Sequence, residues 1–186
     1  NPLTTPGSPA AAMAFRDAAV SHVGEGIYGA MWAAAMISAA FSTDKAETAI
    51  EAGLNEIPMN CRTATLVRET VKYHTQGKTW ESIYEIIKAA TSDCDMGDTV
   101  NNAAYVANAL LAAKGDYEKA ICTAVMQGHD TDCNGATVGS VMGVILGKKA
   151  LPGKWITPLN DDLRTNLNGY SRCSISALAE RTYKLV

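Results

Sequence analysis

Residues 127–147, QGHDTDCNGATVGSVMGVILG, decide how the rest of the chain is read. Two signals meet there. The first is a pair of acids, Asp130 and Asp132, one residue apart in a cluster of small and polar residues. The second is the series Gly135, Gly139, Gly143 and Gly147, spaced at four. Residues four apart lie above one another on a helix face. The glycines therefore form a strip without side chains, along which a second helix can approach. An interior helical glycine costs roughly 0.5–1 kcal/mol relative to alanine, so close packing is expected to offset that cost. The spacing predicts a buried helix that begins just after the acids, with the other helices arranged around it.

The acids have two readings. Asp130, Asp132 or Asn134 can cap the helix by accepting hydrogen bonds from its free amides, worth about 1 kcal/mol. Alternatively, paired carboxylates suit a hard divalent ion such as Mg²⁺, Mn²⁺ or Ca²⁺. An Asp-x-Asp spacing alone does not decide between them.

Composition narrows the class. The chain has 186 residues, enough for one domain with a sizeable core. A net charge of −3 and the lack of a basic patch interleaved with aromatics argue against nucleic-acid binding. Alanine, glycine and methionine are plentiful and phenylalanine is scarce, which suits tightly packed helices. The longest apolar run, residues 27–40, is shorter than the roughly 18–20 residues of a membrane span, and it reads as a core helix apolar on all sides. No membrane association and no secretory signal are expected. The five cysteines, an odd number without Cys-x-x-Cys spacing, read as reduced thiols of a cytoplasmic protein rather than a thiolate metal site.

Along the chain, residues 1–9 are a proline-rich lead-in. A helix over residues 10–20 is expected to end near Ser21-His22, with Gly24 and Gly26 breaking it; His22 alone reads as a helix-end histidine, and Tyr28 as a core tyrosine. Asp44 and Glu47 resemble a capping pair for a helix through Leu54. Residues 62–75 form an amphipathic helix with His74 toward solvent, and Trp80, Ile83, Tyr84 and Ile87 mark the apolar face of the next. Residues 92–98, SDCDMGD, fail as a calcium loop: its sixth position is Asp98 rather than glycine and its twelfth is Ala104 rather than glutamate. Asn101 and Asn102 read as caps of a helix to Ala113, and Gly115-Asp116 as a turn and cap before the stripe Tyr117, Ala120, Ile121, Ala124, Val125. Thr157-Pro158 is expected to open a short helix, Leu159, Leu163 and Leu167 to continue one face, and Ile175, Leu178, Ala179 and Thr182 to point inward from a closing helix. No β-hairpin or repeat is predicted.

The run GHDTDCNGATVGSVMG resembles the C-terminal metal motif of the ADP-ribosylglycohydrolase family, Gly-x-Asp-Thr-Asp-Thr/Cys followed by a small-residue helix. SHVGEGIYGAMWAAAMISAAF resembles the family's Ser/Thr-His helix, TVNNAAYVANALLAAKGDYEKAI the segment leading into the metal motif, and ALPGKWITPLNDDL with SISALAERT its tail. The resemblance implies an all-α, compact orthogonal bundle of short helices. It implies that residues 1–186 are the C-terminal part of a single domain, with a further acidic motif and a glutamate in an N-terminal half outside them, so that this segment alone is expected to be inactive. The implied activity is metal-dependent hydrolysis of a glycosidic bond at ADP-ribose or a related ribosyl nucleotide. The substrate is then an ADP-ribosylated molecule or a small ADP-ribose derivative, and the cofactor a pair of Mg²⁺ or Mn²⁺ ions. Asp130 and Asp132 are the implied metal ligands, with Cys133 where many relatives carry threonine. A thiol is a poor partner for Mg²⁺ or Mn²⁺, so the backbone carbonyl or a water is an alternative there. Ser21, His22, Asn101, Asn102 and Gly128 are the implied substrate-binding residues; no general acid or base is assigned. Two rivals remain: an ADP-ribose binder without turnover, and a crystallin-like structural relative, against which both retained acids speak.

Overall fold

The computed structural model describes residues 7–184, so most of the proline-rich lead-in lies outside the described residues. Backbone contacts divide the chain into two compact units, Asn1–Lys149 and Ala150–Val186.

The first unit is all-α. Its helices are α1 (Pro9–Ala18), α2 (Glu25–Ala40), α3 (Ala46–Leu54), α4 (Arg62–Thr75), α5 (Trp80–Ala90), α6 (Thr99–Ala113), α7 (Tyr117–Met126) and α8 (Thr131–Leu146). Local chemistry sets most starts. Thr79, Asp98 and Asp116 accept the amides of Ser82, Val100 and Lys119, capping α5, α6 and α7. The α4 cap is shared: the Cys61 sulfur accepts from Ala64, while the Glu25 carboxylate accepts the amides of Arg62 and Thr63 at 2.8 and 3.0 Å. Lys114 (φ 51°) and Gly115 (φ 89°) reverse the chain between α6 and α7. The predicted capping pair at α3 does not form; its N-cap is Lys45, with no side-chain cap.

The bundle is built around α6, not around the glycine-bearing α8. Every residue from Val100 to Ala113 is buried, and α2, α3, α4, α5, α7 and α8 all pack against it. A helix enclosed on all sides must be thin, and Ala103, Ala104, Ala107, Ala109, Ala112 and Ala113 make it so. The close approaches also lie elsewhere than the strip. A Cβ at Gly53 in α3 would come within 2.7 Å of the Trp32 carbonyl oxygen in α2, and one at Gly29 would overlap the Thr99 hydroxyl. Along α8, a Cβ at Gly135 or Gly139 would meet α7 side chains at an ordinary 3.6 Å, and one at Gly143 nothing within 4 Å. The buried face of α8 is Asn134, Val138, Val141 and Met142, whose larger side chains claim the core contact.

The second unit begins with α9 (Gly153–Ile156) and a 3-10 turn at Thr157–Leu159. An unpredicted hairpin follows, β1 (Asp162–Arg164) antiparallel to β2 (Arg172–Ser174) with Leu163 opposite Cys173, and then α10 (Ile175–Tyr183). Polar anchoring replaces the alternating apolar pattern that signals a strand. Asp162 pairs with Arg172 at 2.6 Å, and the Asp161 carboxylate accepts from the Ser174 and Ser176 hydroxyls and the Ser176 amide. Of the expected leucine face, Leu159 and Leu167 are exposed and Leu163 is half-buried; of the residues expected to point inward from the closing helix, Leu178, Ala179 and Thr182 are exposed and Ile175 is half-buried.

Candidate metal centre

The acidic turn joins α7 to α8 and is fastened on both sides by buried amides. On the α7 side, Gln127 donates to the Tyr105 carbonyl at 2.9 Å and accepts from Asn108 at 2.9 Å. Asn108 also donates to the Trp80 carbonyl, so its oxygen is left to accept from the His74 ring Nε2 at 2.8 Å. His74 is thus half-buried rather than turned to solvent, and burial, partly countered by the Asn108 hydrogen bond, holds its pKa below the ordinary value. Next, Gly128 (φ 73°) takes a backbone conformation open to glycine. The His129 ring stacks on Tyr105, 4.7 Å between centroids at 21°. Burial pushes the Tyr105 phenol up to about 12.

Asp130 is the N-cap of α8, yet its side chain makes no capping hydrogen bond, and its backbone is left-handed (φ 37°, ψ 56°). Asp132 lies one turn-residue on, exposed. A carboxylate oxygen of each and the Cys133 sulfur lie within 4.8 Å of one another. Among the described residues neither carboxylate has a basic partner. The geometry therefore weighs against capping as the purpose of these acids. Two like charges without a counter-charge, one on a residue in an unfavourable backbone region, are features expected of a ligand site. The hydrogen bond to Asp130, then the negative charges of Asp130 and Asp132, push the Cys133 thiol up, so it keeps its proton. The donor set fits a divalent oxygen-seeking ion through its carboxylates; Cys133 is the soft member.

On the α8 side, Asn134 donates to the His129 carbonyl at 2.7 Å and to the Asn102 oxygen at 2.8 Å. Asn102 donates in turn to the carbonyls of Met96 and Asp98, and Asn101 to that of Asp95. Asn101 and Asn102 are therefore buried residues of the first turn of α6 that hold the 95–98 loop, and the cap is Asp98. Ser21 and His22 stand at the α1–α2 junction, both exposed, with the serine oxygen 2.8 Å from Nδ1. Gly26 does not break a helix but seats that ring, since a Cβ there would come within 2.9 Å of it. No hydrogen bond among the described residues joins Ser21 or His22 to the acidic turn. Sequence reading offered Asn134 only as a cap of the helix and passed over His129 as a structural part of the turn. The usable signal was an amide four residues after Asp130, one helical turn on.

An all-α bundle presenting paired, uncapped carboxylates at a helix start defines a candidate divalent-cation site on a helical scaffold. The family model for ADP-ribosylglycohydrolase matches residues 2–186, and the chain belongs to that family. The family acts on ADP-ribosylated substrates as glycosidic-bond hydrolases and is generally metal-dependent. Searches of curated proteins and of solved structures find no significant match. Among the described residues no helix is long and apolar enough to cross a membrane.

Proposed function

We propose that this chain contributes Asp130 and Asp132 as ligands of Mg²⁺ or Mn²⁺ in a hydrolase that cleaves a glycosidic bond at ADP-ribose or a related ribosyl nucleotide. The observation that carries the reading is the Asp130 carboxylate, left uncapped on a left-handed residue beside Asp132. When bound, such an ion lowers the pKa of a coordinated water and orients the sugar hydroxyls. The chain's own residues do the rest. Asp130 and Asp132 present anionic oxygens at a fixed turn, with the Cys133 thiol beside them. Gly128 has open space where a side chain would stand, allowing a ligand to reach the backbone. Ser21 and His22, both exposed, are assigned to substrate. Asn101 and Asn102 are assigned to shaping the 95–98 loop. Each Mg²⁺ takes about six oxygens, so further ligands of a two-ion site lie beyond this turn.

A binder without turnover is the second reading. Cys133 favours it, because a thiol stands where an oxygen donor would serve a hard ion. The test is Mn²⁺ titration followed by electron paramagnetic resonance, with chromatography of ADP-ribose released from ADP-ribosylated protein in Mg²⁺ or Mn²⁺. The expected result is metal binding and turnover in the full-length wild-type protein, both lost in Asp130→Asn and Asp132→Asn with helical circular dichroism retained. ADP-ribose binding without release would establish the binder. Full activity in both variants would overturn the site.

A further inference from the structure

The geometry assigns Asn134 and Asn102 as positioning residues that hold Asp130 in its left-handed conformation. This rests on the proposed metal site for its purpose, but not for its geometry. A non-glycine residue in the left-handed region is disfavoured, and Asp130 lacks the side-chain capping bond that would compensate. Asn134 supplies a different restraint. Its side-chain amide donates to the His129 carbonyl, which belongs to the peptide preceding Asp130. Its backbone N–H donates to the Asp130 carbonyl at 2.9 Å, which belongs to the peptide following. One residue thus pins the peptide planes on both sides of Asp130, fixing the two dihedrals between them.

Asn134 cannot swing away, because its second amide hydrogen is held by the Asn102 oxygen. Asn102 cannot rotate either. Both of its own amide hydrogens are bound, to the carbonyls of Met96 and Asp98, each at 2.8 Å. The orientations are mutually determined: each nitrogen faces carbonyl oxygens and each donor hydrogen is used. Both residues are buried, 3% and 9% exposed, where an unmatched amide is costly. A turn that needed only a cap would use the aspartate side chain itself. Here two buried amides hold the backbone, and the carboxylate is not used as a cap. The restraint also runs outward, so the 95–98 loop and the acidic turn form one fixed rim.

The test uses the 186-residue chain and two readouts. Backbone ¹³Cα and ¹³Cβ shifts of Asp130, recorded without metal, report the left-handed conformation directly; Mn²⁺ affinity reports its consequence. Asn134→Ala and Asn102→Ala are expected to move the Asp130 shifts out of the left-handed range and to weaken Mn²⁺ at least tenfold. The double variant should lose little more than either single one, because both break the same chain. Asn134→Ser serves as a milder second variant should alanine unfold the protein. Ile50→Val in the α3 core lowers Tm without touching the turn, and it should change neither readout. Left-handed Asp130 shifts preserved in all the Asn variants would overturn the assignment, whatever the metal does. Absence of Mn²⁺ binding in the wild type would instead overturn the metal reading, while the shifts still decide the positioning.

Discussion

Gly53→Ala and Gly143→Ala should shift stability in opposite directions. At Gly53 an added Cβ falls 2.7 Å from both the carbonyl oxygen and Cδ1 of Trp32. The oxygen belongs to the α2 backbone and cannot rotate away. To restore the ~3.5 Å of a favourable contact, α3 must back off from α2. Overpacking of this kind costs typically about 1–3 kcal/mol, against a helix-propensity gain of roughly 0.5–1 kcal/mol for replacing glycine. The two ranges leave a loss of roughly 0–2.5 kcal/mol, and an overlap with backbone that cannot rotate places it in the upper part, about 1–2 kcal/mol. At 2–4 °C per kcal/mol for a chain this size, Tm falls by roughly 2–8 °C. At Gly143 the Cβ meets nothing within 4 Å. The propensity gain should then appear almost whole, raising Tm by roughly 1–4 °C. Thermal melts followed by circular dichroism at 222 nm decide it. An unchanged Gly53→Ala, or a destabilised Gly143→Ala, would refute the assignment of the close helix approach to α2–α3 and restore it to the α8 strip.

Asp130→Gly should raise Tm or leave it unchanged while abolishing Mn²⁺ binding, since glycine adopts φ 37° without strain and removes one of two like charges; a clear drop in Tm by calorimetry would contradict the strain argument. Burial lowers the His74 pKa, so between its folded value and the ordinary 6.5 the unfolded chain binds more protons. Stability is therefore full above about pH 6.5 and declines as pH falls through the folded value, with Glu47 softening and Lys114 reinforcing the shift. His74→Gln should flatten that part of the denaturant-midpoint profile, and an unaltered profile would rule the contribution out. Burial raises the Glu25 pKa, but hydrogen bonds from Thr63 and Arg62 outweigh it and leave it lowered from 4.5. Glu25→Ala should cost about 1 kcal/mol by urea denaturation at neutral pH through loss of the α4 cap. That difference is present above pH 4.5 and should vanish as pH falls through the folded value.

The all-α class and most helix positions could be read from sequence because caps and periodicity are local. Residues 62–75 match α4 end for end, and Asp116 caps α7 as read. What failed was the choice of centre. Gly135 to Gly147 and Val100 to Ala113 are both small-residue helices, and spacing cannot tell which one is surrounded. That depends on six neighbours brought together from across the chain. The hairpin failed for a related reason: three-residue strands held by Asp161 and Asp162 carry no alternating apolar pattern. At the site, the acidic pair was legible as a motif, but two readings stayed open. Only the left-handed Asp130 backbone and the lack of a capping bond weigh between them. His74 was misread because its buried partner, Asn108, lies far along the chain.

The role of α6 links the core to the site. A central helix made thin by alanine could have been wholly apolar, yet it carries Asn101, Asn102 and Asn108, all buried. Each ties down a different neighbour. Asn108 reaches Gln127 at the end of α7, and Asn102 reaches Asn134 in the first turn of α8. These two asparagines are six residues apart, about 9 Å along the axis. They grip the acidic turn from its two ends, before Gly128 and after Cys133. Buried polar groups that are fully matched rigidify their surroundings, whereas a half-matched set destabilises them. The amides of Asn102 and Asn108 are fully matched. The helix that organises the hydrophobic core is therefore also the support of the acidic turn. α6 thus holds the turn at Gln127 through Asn108 and holds the peptides flanking Asp130 through Asn102 and Asn134, so the burial that fixes α6 also fixes the left-handed aspartate.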